Sequence, residues 1–139
     1  MKNALIMITL VSVTLIIVSS AWAAGEQVNM SAVKALAQRP VDEILTNPPV
    51  SGVDIEKYWK EVRSRNRPMI VFFYANNDAP SQRLATLVLY VAREYSSRID
   101  FRSVKVSENG PPSKESAKRL ETQFSLDSTP GILFYDNVK

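Results

Sequence analysis

Asp78 and Ser81 are the two side chains whose type and spacing come closest to a catalytic pair. They stand three residues apart in the stretch 76–81 (NNDAPS), at the predicted start of a helix. A serine nucleophile needs a base beside it, and the chain has no histidine, the usual base near neutral pH. A carboxylate at a helix N-terminus also accepts backbone N–H bonds. We therefore predict that Asp78 caps the helix and that no residue is catalytic.

The residue types that are absent exclude further chemistry. The 139 residues include no cysteine and no histidine, so disulfides, thiolate nucleophiles and the commonest metal ligands are missing. We expect no metal and no organic cofactor. Seventeen basic residues against fourteen acidic ones give a net charge of only +3. We predict that Lys60, Lys105 and Lys118 are solvated and that the chain binds no nucleic acid.

The N-terminus has the pattern of an export signal. Lys2 precedes an almost wholly apolar stretch at 4–18, and Ala21-Trp22-Ala23 places small residues where signal peptidase requires them. We predict a signal peptide over residues 1–23. The alternative is an uncleaved N-terminal anchor, because residues 4–24 approach the roughly 20 that span a bilayer. In either case we expect the rest of the chain outside the cytoplasm, periplasmic or secreted, with membrane contact only through an uncleaved segment.

Residues 24–50 predict a linker with a short helix. Met30, Val33 and Leu36 have helical spacing, and the prolines of Asn47-Pro48-Pro49 interrupt the chain further on. This segment either packs on the domain that follows or is held by a partner.

Residues 51–139 form the predicted domain, in which helices alternate with strands. Ser51 and Asp54 resemble a capping box, and apolar residues at helical spacing follow as far as Val62. The uninterrupted apolar run at 69–74 indicates a strand covered on both faces. The remaining elements are a helix from Pro80 to Tyr95, a strand at 99–106, a helix from Ser113 and a strand at 132–135. This alternation predicts βαβ units.

Several of these stretches resemble thioredoxin. Residues 68–75 (PMIVFFYA) are similar to the family's central strand, and residues 76–83 (NNDAPSQR) fall where the family carries Trp-Cys-Gly-Pro-Cys-Lys. Ser128-Thr129-Pro130 before an apolar strand is similar to the family's cis-proline loop, which faces the active site. The resemblance implies an α/β fold, a thioredoxin-like sheet flanked by helices.

The departures from that pattern concern the chemistry of the family. Asp78 and Ser81 stand at the two cysteine positions, and Phe72 falls where the family has a buried acid. A carboxylate and a hydroxyl cannot form a mixed disulfide, so the resemblance implies a redox-inactive member. The family's unit continues to a further strand and a final helix, which we expect to be lacking because the sequence ends at Lys139. A truncated chain, a reduced fold and an edge completed by a partner strand are the alternatives.

The resemblance also implies where a partner binds. In this family the loop before the proline presents backbone groups to an extended peptide, and this binding mode needs no cysteine. The expected partner-binding residues are Pro130, Thr129, Tyr74, Asp78 and Ser81, although Pro130 could simply shape a turn and Tyr74 could belong to the core. The predicted function is a non-catalytic module that binds a protein or peptide. The alternative is a structural subunit of an envelope-associated assembly, and an enzyme of another kind ranks third.

Overall fold

The computed structural model describes residues 29–46 and 48–136. The predicted signal peptide or anchor, Asn47 and residues 137–139 lie outside the described residues. Contacts divide the chain between Met30 and Ser31, and all packing reported below lies within the unit that begins at Ser31. None of the described helices is long and apolar enough to cross a membrane.

Within the described residues, four strands form one sheet in the order β1-β3-β2-β4. Strands β1, β3 and β2 run parallel, and β4 is antiparallel to β2. The strands β2 and β3 are joined through a helix, which gives the βαβ unit that the sequence predicts. The elements are, in chain order, α1 (Met30–Leu36), α2 (Val41–Ile44), β1 (Val50–Gly52), α3 (Tyr58–Ser64), β2 (Met69–Ala75), α4 (Ala79–Tyr95), β3 (Asp100–Ser107), α5 (Lys114–Phe124) and β4 (Gly131–Tyr135).

Strand β2 carries the core on both of its faces. It lies between β3 and β4, and every residue except the half-buried Ile70 is buried. Phe72 and Tyr74 point to the face covered by α2 and α4, and Val71 and Phe73 point to the face covered by α3 and α5. A strand with helices on both sides needs no polar face, which explains why the run 69–74 lacks alternation.

The first core cluster joins α2 and α4 to the sheet. Val41 and Ile44 of α2 and Val50 of β1 are all fully buried, and they pack with Phe72 and with the inward face of α4. Val41, Ile44 and Val50, which lie within the predicted linker, therefore pack on the domain. The sheet begins at Val50.

The second core cluster is largely aromatic. The Tyr58 ring of α3 meets Phe124 of α5 edge to face, with 4.8 Å between ring centroids. Phe73 of β2 lies 5.0 Å from the same Phe124 ring. The hydroxyl of Tyr58 forms a hydrogen bond with the hydroxyl of Tyr135, so this buried polar atom has a partner on β4.

The helix predicted from Ser51 begins later, at Tyr58. Ser51 lies in β1, in register with Arg102 of β3. The carboxylate of Asp54 accepts a hydrogen bond from the backbone N–H of Glu56 at 2.9 Å, which makes a local turn. Pairing with β3 thus replaces the capping box, because ladder hydrogen bonds satisfy the backbone at Ser51.

The starts of α4 and α5 agree with the predicted ones. Asp78 is the N-cap of α4 and Pro80 lies in its first turn, where the missing N–H costs nothing. The hydroxyl of Ser113 accepts from the backbone N–H of Ser116 at 3.2 Å and caps α5. The helix α5 ends at Ser125, whose φ of 53° gives the left-handed conformation common at helix C-termini.

Leu89→Ala should lower the free energy of unfolding by about 2–5 kcal/mol, because it leaves a cavity in the first core cluster. Leu89 is 1% exposed, whereas Leu87, two residues away on α4, is 57% exposed. Leu87→Ala is the matched control and should change stability by less than about 0.5 kcal/mol. Urea unfolding measures both. Equal losses for the two variants would contradict the orientation of α4.

Candidate functional site

Two loops meet at one end of the sheet. The loop Asn76–Asp78 connects the C-terminal end of β2 to α4. In the antiparallel pairing, Gly131 at the start of β4 lies opposite Phe73 near that same end of β2. Pro130 immediately precedes Gly131, and the Thr129–Pro130 peptide bond is cis. The loop that contains Pro130 therefore lies beside the loop that leads into α4.

Asp78 and Ser81 are bonded to each other. One carboxylate oxygen of Asp78 accepts from the backbone N–H of Ser81 at 2.9 Å and from its hydroxyl at 2.8 Å. The backbone N–H of Ala75 donates to the Ser81 hydroxyl oxygen at 3.3 Å. The prediction that Asp78 caps α4 is confirmed. Because Ser81 is fully buried, its hydroxyl holds the helix start in place and is not exposed to a substrate.

Tyr74 lies in the core and not on the loop surface. Its ring stacks on Phe72 with 5.6 Å between centroids, and its hydroxyl donates to a carboxylate oxygen of Asp42 at 2.5 Å. Phe72, at the position where the resemblance implies a buried acid, is fully buried among apolar side chains. Of the five residues predicted to bind a partner, Tyr74 and Ser81 are therefore buried and are not on the surface of the two loops.

A polar network beside these loops links α2 to the ends of β2 and β3. The ammonium group of Lys105 lies 2.9 Å from Asp42 and 3.0 Å from Glu108, measured to carboxylate oxygens. The Asn76 side chain donates to Glu108 at 2.6 Å and accepts from the backbone N–H of Asp42 at 2.9 Å. Lys105 is exposed, as the sequence predicted, and it is also paired with two carboxylates.

The network holds its charges at neutral pH. Burial alone would raise the pKa of Asp42, but hydrogen bonds from Tyr74 and Lys105 outweigh it and hold that pKa below its usual value. Hydrogen bonds from Asn76 and Lys105 lower the pKa of Glu108. Burial, and then the hydrogen bond to Asp42, raise the pKa of Tyr74, so its hydroxyl remains a donor. The cluster thus holds α2 to the ends of β2 and β3 and is not an acid–base pair.

Local sequence patterns could not reveal this network. Asp42 is 32 positions from Tyr74 and 63 positions from Lys105, so no spacing rule connects them. The one available signal for a polar contact lay on β3, where Ser103 and Lys105 occupy the same side of the strand as Phe101. In the described ranges, no group of three or more acidic side chains is placed to hold a metal ion.

The fold is that of thioredoxin. No protein-family model matches the sequence, and no curated protein matches it. Among solved structures, chloroplastic thioredoxin z is similar with a TM-score of 0.51 and 24% identity, covering 64% of this chain and 72% of that one. A poplar thioredoxin h mutant is similar with a TM-score of 0.50 and 15% identity, covering 68% of this chain and 70% of that one. At these identities the likeness shows the fold alone.

The chain is therefore a thioredoxin-like α/β protein without cysteine. The predicted fold class, a sheet flanked by helices, is confirmed. Thiol–disulfide exchange requires a thiolate of the protein itself, so this chain has no group with which to begin that reaction.

Tyr74→Phe should lower the free energy of unfolding by about 1–3 kcal/mol, because it removes a buried hydroxyl that donates to a charged carboxylate. Tyr95→Phe, at an exposed position on α4, is the control and should change stability by less than about 0.5 kcal/mol. Urea unfolding at neutral pH distinguishes the two. A Tyr74→Phe protein as stable as wild type would show that the bond to Asp42 contributes nothing.

Asp42→Asn should weaken the dependence of stability on pH. A carboxylate whose pKa is lowered by folding stabilises the fold above its unfolded pKa, 3.8 for Asp42, and this stabilisation is lost as the pH falls through the folded pKa. Unfolding free energies at about pH 7, 5 and 3 should therefore fall less in Asp42→Asn than in wild type. Glu43→Gln, the next residue of α2 and outside the network, should retain the wild-type profile. Identical profiles for wild type and Asp42→Asn would show that the Asp42 carboxylate does not stabilise the fold.

Proposed function

We propose that this chain is a non-catalytic protein-binding module outside the cytoplasm, which holds a peptide segment of a partner at the loop around Pro130. The observation that carries the proposal is that no group among the described residues forms a hydrogen bond with Ser128 or Thr129. Polar backbone groups normally find partners on folding, so these are available to another chain.

An extended peptide is the ligand that fits such groups. Main-chain hydrogen bonds to an extended segment supply affinity without a reactive side chain. Asn77, Ala79 and Pro80 are exposed on the neighbouring loop and helix start, where they could meet the peptide's side chains. Asp78 and Ser81 are hydrogen-bonded to each other and would hold the backbone beneath this surface in place. Binding would therefore use the loop backbone, and no covalent step is needed.

The proposed location rests on the sequence of residues 1–23. A positive residue, an apolar stretch and small residues at a cleavage position together direct export. The absence of cysteine is compatible with an oxidising compartment, because the two core clusters stabilise the fold by packing without disulfides.

A second candidate function, a subunit of an envelope-associated assembly, is favoured by an exposed apolar surface. Phe134 is 73% exposed on β4, an edge strand of the described sheet. It lies opposite Ile70 in the register and therefore faces the same side of the sheet as α4. Leu87, Val91 and Tyr95 line one exposed flank of that helix. Apolar residues concentrated in this way are typical of a permanent protein contact.

Ser128→Trp should abolish partner binding if the loop is the binding site, because the indole would cover the backbone groups. Tagged protein is crosslinked in intact cells and the recovered partner is quantified. We expect a loss of more than about tenfold, since two hydrogen bonds of about 1 kcal/mol each exceed the 1.4 kcal/mol that a tenfold change requires. Ser97→Trp, just beyond the opposite end of α4, is the matched control and should bind normally.

Phe134→Asp separates the two candidate functions. A partner that is retained by Ser128→Trp but lost from Phe134→Asp would make the chain a subunit bound through its edge strand. A partner lost only from Ser128→Trp supports the binding module. Recovery of nothing above background by the wild-type protein would contradict both proposals.

A further inference from the structure

We propose that the groove between α1 and the first half of α4 binds an acidic amphipathic helix of a protein partner. The groove is lined by α1, the turn that follows it and one face of α4. It shares only Ala79 with the surface proposed for peptide binding, so the proposal does not depend on peptide binding at the loop around Pro130.

The groove has the size and the lining of a docking site. Its volume is about 600 Å³, and its apolar lining includes Val33, Ala37, Ala79 and Leu87. Ala79 and Leu87 lie eight residues apart on α4, which makes the groove roughly 12 Å long at 1.5 Å per residue. Two turns of a partner helix have this length. Leu87, more than half exposed at one end of this lining, would be the largest apolar contact on α4.

Two unpaired cations flank this apolar floor. Lys34 lies on the α1 side and Arg83 on the α4 side, and both are exposed. Among the residues that the structure describes, no carboxylate lies within 4.0 Å of either one, whereas Arg67, Lys105 and Arg119 each have an acidic partner. A ligand with carboxylates on both sides of an apolar stripe complements this arrangement, and a basic ligand would be repelled.

The walls of the groove favour a helix over an extended strand. Most of the lining side chains come from helices, and no strand of the described sheet lines the groove. The groove therefore offers no sheet edge to which an extended strand could add. An apolar groove between helices instead accepts the apolar face of an amphipathic helix, with anchors at i, i+3 or i+4, and i+7.

The test uses three fluorescein-labelled helical peptides and the purified full chain. The first peptide has leucines at i, i+4 and i+7 flanked by glutamates, the second has lysines in place of the glutamates, and the third is a scrambled version of the first. Fluorescence anisotropy should show the first binding at least about tenfold more tightly than the other two. Its advantage should shrink as the salt concentration rises, because the flanking ion pairs are exposed.

Charge reversal gives the matched comparison. The double variant Lys34→Glu/Arg83→Glu should lose the preference for the acidic peptide and bind the lysine peptide more tightly. Arg93→Glu/Lys118→Glu reverses two exposed cations outside the groove and should bind as wild type does. Leu87→Ser should weaken the acidic peptide about tenfold or more, while Val91→Ser should not. Circular dichroism confirms that each variant is folded.

The remaining outcomes overturn the proposal. They are equal binding of the acidic and scrambled peptides, equal losses in the two charge-reversal proteins, or a wild-type preference for the lysine peptide. Saturable binding of dodecanoate in place of the acidic peptide would assign the groove to a small amphiphile. Dimerisation of the protein that Leu87→Ser abolishes would assign it to a second copy of the chain.

Discussion

One buried side chain, Asn76, joins the segments that surround the candidate site. It is 5% exposed and bonds to two separate segments of the chain, the start of α2 and the end of β3. Its bonds link its backbone N–H to Ser107, its backbone carbonyl to the N–H of Val41, its side-chain oxygen to the N–H of Asp42 and its side-chain nitrogen to Glu108. Truncating this side chain would leave the part-buried N–H of Asp42 without its acceptor and remove one donor from the exposed carboxylate of Glu108. The Asn76 amide thus joins α2 to the end of β3.

The polar groups near the sheet end therefore fall into two sets. Those at Asp42, Tyr74, Asn76 and the Asp78–Ser81 pair bond to one another and hold the local structure. The backbone of Ser128 and Thr129 has no partner among the described residues, and the cations of Lys34 and Arg83 have no acidic one. The inner polar groups are thus satisfied within the fold. The outer groups are the ones that both binding proposals use.

The elements that could be predicted are those that local sequence patterns determine. The apolar run at 69–74 needs helices on both faces, and Asp78 followed by Pro80 has the chemistry of a helix start, so β2 and α4 were predictable. Strand β1 was not, because three residues are too few for a periodic pattern and Ser51 has a helix-capping side chain. The bond between Asn76 and Asp42 joins residues 34 positions apart. Contacts over such separations leave no spacing signal, which is also why the pairing of Lys105 with Asp42 was not predicted.

The bond between Asp78 and Ser81 also constrains which substitutions such a chain could accept in evolution. Each side chain serves the other: Asp78 caps the helix and accepts the serine hydroxyl, and Ser81 fills a buried position beside β2. A cysteine in place of Asp78 would remove the cap, whereas a cysteine in place of Ser81 would keep the backbone N–H that donates to Asp78. Either exchange alone provides only one sulfur, which cannot close a disulfide within the chain. Two exchanges therefore separate this surface from a disulfide.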